Sequence, residues 1–186
     1  WVDKIKQLDT TLFLFLNGKH NSFFDFIMFW ASNKFIWIPL YILFILFIFR
    51  AFDKQYSKII IAALLLILLS DQISNHLFKN TFERYRPCHN ALIAPQVHLN
   101  PDCGGMYGFV SSHAANSFAL ATFLLLIFWK ERKYYGILLL FWAALVSYSR
   151  IYNGLHYPMD VLCGAMLGTI LAFIVYKGGK RLWSNA

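Results

Sequence analysis

Residues 35–49 read FIWIPLYILFILFIF, an apolar run without a charged side chain. Further uncharged apolar runs follow it, and with their flanks they approach the ~20 residues that a helix needs to cross a bilayer. The sequence therefore predicts an all-α, polytopic helical membrane protein with about five transmembrane helices. The predicted spans lie at about 34–50, 58–78, 111–129, 135–151 and 158–176.

The composition supports one membrane domain. Of the 186 residues, 59% are hydrophobic and 14% are charged, which is more apolar than a soluble domain. We predict one membrane-embedded domain at 34–186, preceded by an interfacial segment at 1–33. In residues 2–20 apolar side chains recur at helical spacing until Asn17-Gly18, and residues 22–31 form a second aromatic-rich helix. Both helices are expected to lie in the membrane interface, and a hairpin that dips into the bilayer is the alternative.

The basic residues cluster at the ends of the apolar runs. The net charge is +8, and basic residues cluster at 50–58, 130–135 and 177–186. This pattern favours cytoplasmic loops over nucleic-acid binding. The loops 79–107 and 150–158 then lie together on the opposite face. The stretch from Lys4 to Leu16 lacks a small-residue cleavage site, so we expect no signal peptide of the usual layout.

Polar residues that suit a phosphate site collect on that opposite face. Arg86 and Arg150 can each grip a phosphate with paired donors, and Lys79 adds a point charge. Ser111 can donate its hydroxyl, while Ser112 is expected to cap the third span, whose free N–H groups attract anions. Ionisable groups next to membrane spans are costly, which favours a function for them.

Two histidines and one carboxylate supply the reactive groups. Asp160 follows His156 by four residues, a spacing at which the two side chains meet on a helix. A carboxylate on one ring nitrogen would orient the other as a nucleophile or base. His113 then remains as the proton donor. Lys79 and Arg84 could instead snorkel at a span's end, and Asp71, Asn75 and His76 receive no catalytic role.

Two of the three cysteines lie in the polar loop. Cys88 and Cys103 bracket a stretch of the loop 79–107, and in an oxidising compartment they would form a disulfide. His89 and His98 in the same loop leave a metal site as the less favoured alternative, because the spacing fits no common zinc pattern. Cys163 lies within a span and is expected to be a small core residue.

The order and spacing of these residues resemble the type 2 phosphatidate phosphatase family, within the superfamily of the vanadium haloperoxidases. Lys79, six residues and then Arg86-Pro87 resemble its first motif, and Ser149-Arg150 with His156 and Asp160 match its third. The middle motif, normally Pro-Ser-Gly-His, stands here as residues 110–113, with Val110 and Ser112 departing from it. The resemblance covers roughly residues 58–176.

The resemblance implies a metal-independent phosphatase without a cofactor. In this interpretation His156 attacks phosphorus to form a phosphohistidine, Asp160 orients it and His113 protonates the leaving group. Further residues hold the phosphoryl oxygens, namely Lys79, Arg86, Arg150, Ser111 and Ser112.

The resemblance also suggests substrates and a location. The partners are a lipid phosphate and the bilayer, in a bacterial inner membrane with the active site on the periplasmic face. Undecaprenyl diphosphate or a related phospholipid phosphate is the favoured substrate, and lipid A is the alternative. An anionic-lipid transporter and a haloperoxidase are competing functions, and the oligomeric state stays open.

Overall fold

The structure is a computed structural model that describes residues 2–183, and within this range the chain forms nine α-helices and no strand. Trp1 and residues 184–186, the end of the predicted domain, lie outside the described residues, as do the side chains of residues 130–132 in the predicted cytoplasmic loop. The α-helices are α1 (Val2–Asn17), α2 (Ser22–Ser32), α3 (Ile38–Ala51), α4 (Tyr56–Gln72), α5 (Asn80–Phe82), α6 (Ser112–Ile127), α7 (Trp129–Tyr152), α8 (Pro158–Gly178) and α9 (Lys180–Trp183).

Short turns of other helix types extend this framework. A 3₁₀ turn at Lys34–Trp37 leads into α3, and another at Asp53–Gln55 leads into α4. A π-helical turn, Ile73–Lys79, continues α4 towards α5. Two further 3₁₀ turns, Pro87–His89 and Ala94–Gln96, lie in the long segment between α5 and α6.

The all-α, polytopic prediction is confirmed, and its count of about five spans is approximate. Among the described residues, four helical stretches are long and apolar enough to cross a bilayer. They are Lys34–Ala51, Tyr56–Phe82, Lys133–Tyr152 and Pro158–Gly178. The third predicted span, 111–129, corresponds to α6, which has only 16 residues. At 1.5 Å per residue α6 is about 24 Å long, shorter than the hydrocarbon layer.

Helix α6 can be short because other helices surround it. Its first turns carry the small residues Ala114, Ala115 and Ala119, all fully buried. Helix α8 packs closely against them at Gly164 and Gly168, where an added Cβ would collide with backbone atoms of α6. Small residues at helix contacts allow such close approach inside membranes. The buried centre of the bundle therefore begins at the N-terminus of α6.

The outward faces of the long helices remain apolar. Exposed leucine, isoleucine and phenylalanine side chains follow α3, α4 and α8, and Phe141 on α7 is 70% exposed. Exposed apolar surface of this extent is typical of helices that face lipid.

The two N-terminal helices pack against the ends of the later helices. Asn17, where α1 ends, donates through Nδ2 to the carbonyls of His98 (2.8 Å) and Tyr152 (2.7 Å), and its Oδ1 accepts the His98 N–H (2.8 Å). Phe13 of α1 is fully buried, with its ring 5.4 Å from that of Tyr157. The boundary at residue 33 and the interfacial position of α1 and α2 stay predictions.

Candidate active site

A cavity of about 560 Å³ opens where α4, α6 and α7 converge. It brings together most of the predicted site residues, although they are far apart in sequence. Those that line the cavity are Lys79, Arg86, Ser112, His113, Arg150 and His156. Asp160 and Ser111 are fully buried and do not line it.

The connection between α7 and α8 places His156. Gly154 has a positive φ of +80°, and a Cβ there would lie only 2.7 Å from the carbonyl oxygen of His98, so glycine suits this turn. Pro158 then starts α8, and the N–H of Tyr157 donates to Asp160 Oδ2 at 3.0 Å as part of a capping box. With this geometry, His156 lines the cavity and Asp160 lies beside the His156 ring.

His156 and Asp160 face each other without a hydrogen bond. The distance from His156 Nδ1 to Asp160 Oδ2 is 3.6 Å, and Nδ1 has no hydrogen-bond partner among the described residues. The predicted direct bond would require a shift of several tenths of an ångström. Burial lowers the pKa of the His156 imidazole well below its ordinary value, and the charges of Arg86 and Arg150 lower it further. The ring is therefore held neutral, the form that has a free electron pair.

Arg84 is a residue whose role the sequence did not reveal. Its Nη1 donates to Asp160 Oδ1 at 2.7 Å, and its Nη2 donates to Asp9 Oδ2 at 2.7 Å. The guanidinium carbon lies 4.1 Å from the centre of the Tyr157 ring. Asp9 in turn accepts the N–H of Met159 at 2.9 Å. Arg84 therefore fixes the carboxylate that faces His156 and links it to helix α1, rather than snorkelling at a span's end.

No local signal identifies this arrangement. Asp9 precedes Arg84 by 75 residues, and Asp160 follows it by 76. An arginine near a span's end is also a common topological feature. Only the fold brings the three residues together.

Helix α6 is capped by Ser111, whereas the sequence predicted Ser112 as the cap. The N-cap of α6 is Ser111, whose Oγ accepts from the N–H of Ala114 at 3.5 Å, so the assignment of the cap to Ser112 is wrong. An N-cap at Ser112 requires the helix to begin at residue 113, whereas α6 begins one residue earlier, at Ser112. Ser112 Oγ instead faces the cavity and accepts from Lys79 Nζ at 2.9 Å. The phosphate contact predicted for Ser111 stays a prediction.

Asn75 joins the lysine and the serine in a small network. Its Oδ1 accepts from Lys79 Nζ at 2.6 Å and from Ser112 Oγ at 3.0 Å. The π-helical turn Ile73–Lys79 contains both Asn75 and Lys79, and such turns are frequent at functional sites. Asn75 thus has a positioning contact in the site, although the sequence gave it no catalytic role. Asp71, one turn earlier, also lines the cavity and accepts from Asn116 Nδ2 at 3.2 Å.

Two arginines from different segments line the cavity. Arg86 is held by the carbonyls of Tyr107 (3.3 Å) and Cys103 (3.4 Å). Arg150 donates through Nη1 to Ser32 Oγ, while its buried Nε has no hydrogen-bond partner in the described part of the chain. A buried donor without an acceptor is uncommon and indicates that an anion or another polar ligand is accommodated there.

The loop above the cavity is cross-linked. Cys88 and Cys103 form a disulfide, with their Cα atoms 6.0 Å apart. The N–H of Arg86 donates to the carbonyl of Met106 at 3.1 Å, which ties the two sides of the loop together. His89 lies beside the two cysteines, but sulfur atoms joined in a disulfide are not thiolate ligands for a metal. Cys163 is half-buried and free.

Much of the remaining cavity lining is apolar. Trp37 and Tyr41 from the region of α3, Ile67 of α4, and Trp142 and Val146 of α7 contribute to it, while Lys34, Asp71, Asn116 and Ser117 add polar groups. Cationic and histidine side chains that share a cavity with aromatic and aliphatic side chains fit an amphiphile with an anionic headgroup.

Comparison with known proteins agrees with this geometry. Residues 60–184 match the PAP2 superfamily. The chain is 36% identical over 191 residues to a lipid A 4'-phosphatase from Bacteroides thetaiotaomicron, covering 99% of this chain and 84% of that protein. It is 32% identical over 143 residues to an undecaprenyl-diphosphatase from Sulfolobus acidocaldarius, covering 77% of this chain and 63% of that protein.

A solved structure shows the same fold. It is a transmembrane PAP2-type phosphatidylglycerolphosphate phosphatase from Bacillus subtilis, with a TM-score of 0.75, 21% identity, and coverage of 96% of this chain and 87% of that one. The match to the superfamily spans well over half of the chain, and the relatives named above are phosphatases. This chain therefore belongs to the PAP2 superfamily, as a multi-pass membrane phosphatase.

Proposed function

We propose that the protein is a metal-independent lipid phosphate phosphatase that acts on lipid A through a phosphohistidine. The observation that carries this proposal is the cavity itself, where Lys79, Arg86 and Arg150 and the two histidines share one chamber with aromatic and aliphatic side chains. A phosphate ester needs its oxygens neutralised, a nucleophile on phosphorus and a proton for the leaving oxygen. The cavity holds a group suited to each task.

In the first step the neutral imidazole of His156 attacks phosphorus. Because Nδ1 is buried against Asp160, Nε2 is the nitrogen available on the cavity side. A bond forms between Nε2 and phosphorus while the bond from phosphorus to the lipid oxygen breaks. His113 gives its proton to that oxygen, so the lipid leaves as an alcohol.

In the second step water attacks phosphorus and gives its proton to His113. The bond from phosphorus to Nε2 breaks, inorganic phosphate leaves, and both histidines return to their starting forms. The charge on the phosphoryl oxygens is met throughout by Lys79, Arg86 and Arg150, a task that a metal ion performs in other phosphatases. Asp160 stabilises the positive charge that develops on His156.

The substrate proposal rests on the relatives. The similarity to a lipid A 4'-phosphatase extends over nearly the whole chain, whereas the similarity to an undecaprenyl-diphosphatase covers 77% of it with lower identity. Lipid A, first considered as the alternative, therefore becomes the favoured substrate. Undecaprenyl diphosphate is the second candidate.

We place the active site on the periplasmic face of an inner membrane. The basic segments 50–58 and 130–135, the second of which begins α7, lie at the opposite ends of the helices from His156, as positive-inside topology requires. The disulfide in the loop above the cavity agrees with an oxidising compartment.

The test is phosphate release from lipid A, undecaprenyl diphosphate and phosphatidate by detergent-purified protein in the presence of a chelator. His156→Ala serves as the inactive variant, and Arg50→Ala, an exposed arginine remote from the site, as the matched control. Release that disappears only in His156→Ala supports the proposal. A His156→Ala protein that retains its activity in cells would favour a transporter of anionic lipids.

A further inference from the structure

A second cavity of about 220 Å³ adjoins the active site. Ser32 and Arg150 line both cavities, so Arg150 forms the wall between them. The smaller cavity is bounded by the end of α2, the segment 100–102 and the connection from α7 to α8. The lining residues relevant here are Phe29, Asn33, Asn100, Asp102, Arg150 and Asn153.

The walls of this second cavity are held in place. Asn100 Nδ2 donates to the carbonyl of Asp25 at 2.9 Å and to Asn153 Oδ1 at 3.3 Å. Asn153 Nδ2 donates to the carbonyl of Met28 at 3.0 Å. The segment that carries Asn100 is thereby attached to α2 and to the end of α7. The cavity is thus preformed, as ligand sites usually are.

Several polar groups in the cavity keep unused hydrogen-bonding capacity. The carboxylate of Asp102 is exposed, and no hydrogen bond to it is seen within the described residues, although its charge acts on the nearby Arg150 guanidinium. Asn100 uses its amide nitrogen, which leaves its Oδ1 as an acceptor. Arg150 lines this cavity as well as the active site and so joins the two. Phe29 adds an aromatic surface.

This combination fits a ring that carries hydroxyl groups. Asp102 and Asn100 accept hydrogen bonds from hydroxyl or amide groups, and Phe29 covers an apolar face. The volume corresponds to roughly seven water molecules, which suits a single sugar ring. A second phosphate is disfavoured here, because the carboxylate of Asp102 would repel it.

We propose that the second cavity is a headgroup subsite that holds the sugar ring of a glycolipid whose phosphate is bound at Arg150. This inference rests on the proposed phosphatase function and adds a basis for choosing among its substrates. Asp102 is the specificity-determining residue, favouring a phosphorylated sugar over a lipid diphosphate.

The experiment compares Asp102→Asn with the wild type and with Asp3→Asn, an exposed aspartate in the first turn of α1. The kcat/KM of the full-length protein in detergent is measured on lipid A, undecaprenyl diphosphate and phosphatidate. For Asp102→Asn we expect a decrease of about tenfold on lipid A, because a neutral amide oxygen replaces the charged acceptor of a hydrogen bond. The kcat/KM of Asp102→Asn on undecaprenyl diphosphate should rise, and its kcat/KM on phosphatidate should stay within about twofold of the wild-type value.

Each other outcome overturns the inference. Equal lipid A to diphosphate ratios in Asp102→Asn and Asp3→Asn would refute the subsite and leave the phosphatase function standing. An equal decrease on lipid A and phosphatidate would show that Asp102 does not recognise a sugar. Failure of the wild type to release phosphate from any of the three lipids would refute the proposed function, and the subsite with it.

Discussion

Replacing Arg84 with alanine tests whether this residue positions the catalytic pair. The side chain links Asp160 and Asp9 through two hydrogen bonds of 2.7 Å, yet it does not line the cavity. Its loss would leave the fully buried Asp160 without its charged partner. We therefore expect both the turnover and the stability of the protein to fall, without a large change in substrate binding.

The size of each effect follows from the contacts. Removing one partner of a buried ion pair destabilises a protein by about 3–5 kcal/mol. The Arg84 side chain is 25% exposed, so we expect the lower end, about 3 kcal/mol. A hydrogen bond to a charged group is worth about 1.5–3 kcal/mol, which corresponds to a decrease in kcat of roughly 10- to 150-fold if the bond supports the transition state.

The assay measures kcat, KM and thermal unfolding for Arg84→Ala and Arg84→Lys, with Arg50→Ala as the control. KM should stay within about threefold, because Arg84 does not touch the cavity. Lysine offers a single ammonium and should restore only part of kcat. A protein that loses stability but retains wild-type kcat would show that Arg84 is purely structural.

The remaining predictions concern the phosphate grip, the metal, the pH dependence and the disulfide. Arg150→Ala should reduce kcat/KM at least 100-fold through loss of a bidentate contact, and near wild-type turnover would remove Arg150 from the site. Activity should persist in a chelator, because cationic side chains meet the phosphoryl charge; loss of activity that added metal restores would contradict the mechanism. The lowered pKa of His156 keeps its ring neutral down to pH values below 6.5, so kcat/KM should not decline between pH 7.5 and 6.5. Below pH 6.5 the imidazole of His156 binds a proton in the unfolded chain but stays neutral in the folded protein. The thermal unfolding temperature should therefore decrease as the pH falls. Cys88 and Cys103 should resist thiol labelling in freshly purified, unreduced protein, and full labelling of both would exclude the disulfide there.

The cavity suggests how one family scaffold serves different lipids. Most of the groups assigned to the chemistry line one cavity with His156, while the apolar lining and the second cavity would contact the rest of the proposed substrate. Changes at Asp102 or Phe29 would alter which headgroup is bound without altering the attack on phosphorus. Specificity in this protein is therefore expected to depend on the segment 100–102 and on helix α2, outside the motifs that identified the family.

The sequence determined the membrane class, and it predicted several of the residues that line the cavity. Long apolar runs have few alternatives to transmembrane helices, because a bilayer requires every backbone group to be hydrogen-bonded internally. The spacing of Lys79, Arg86, His156 and Asp160 was sufficient to recognise the family. Charge bias alone predicted that loops 79–107 and 150–158 share a face, and in the structure both border the cavity.

The tertiary structure decided which partners these residues have. The pairing of Arg84 with Asp9 and Asp160 joins segments about 75 residues apart, and such contacts leave no local pattern in a sequence. A shift of one residue in the start of α6 exchanged the roles of Ser111 and Ser112, because side-chain direction changes by about 100° per helical residue. Residue spacing thus specified the chemical groups, whereas the packing of α1, α6 and α8 fixed where each of them points.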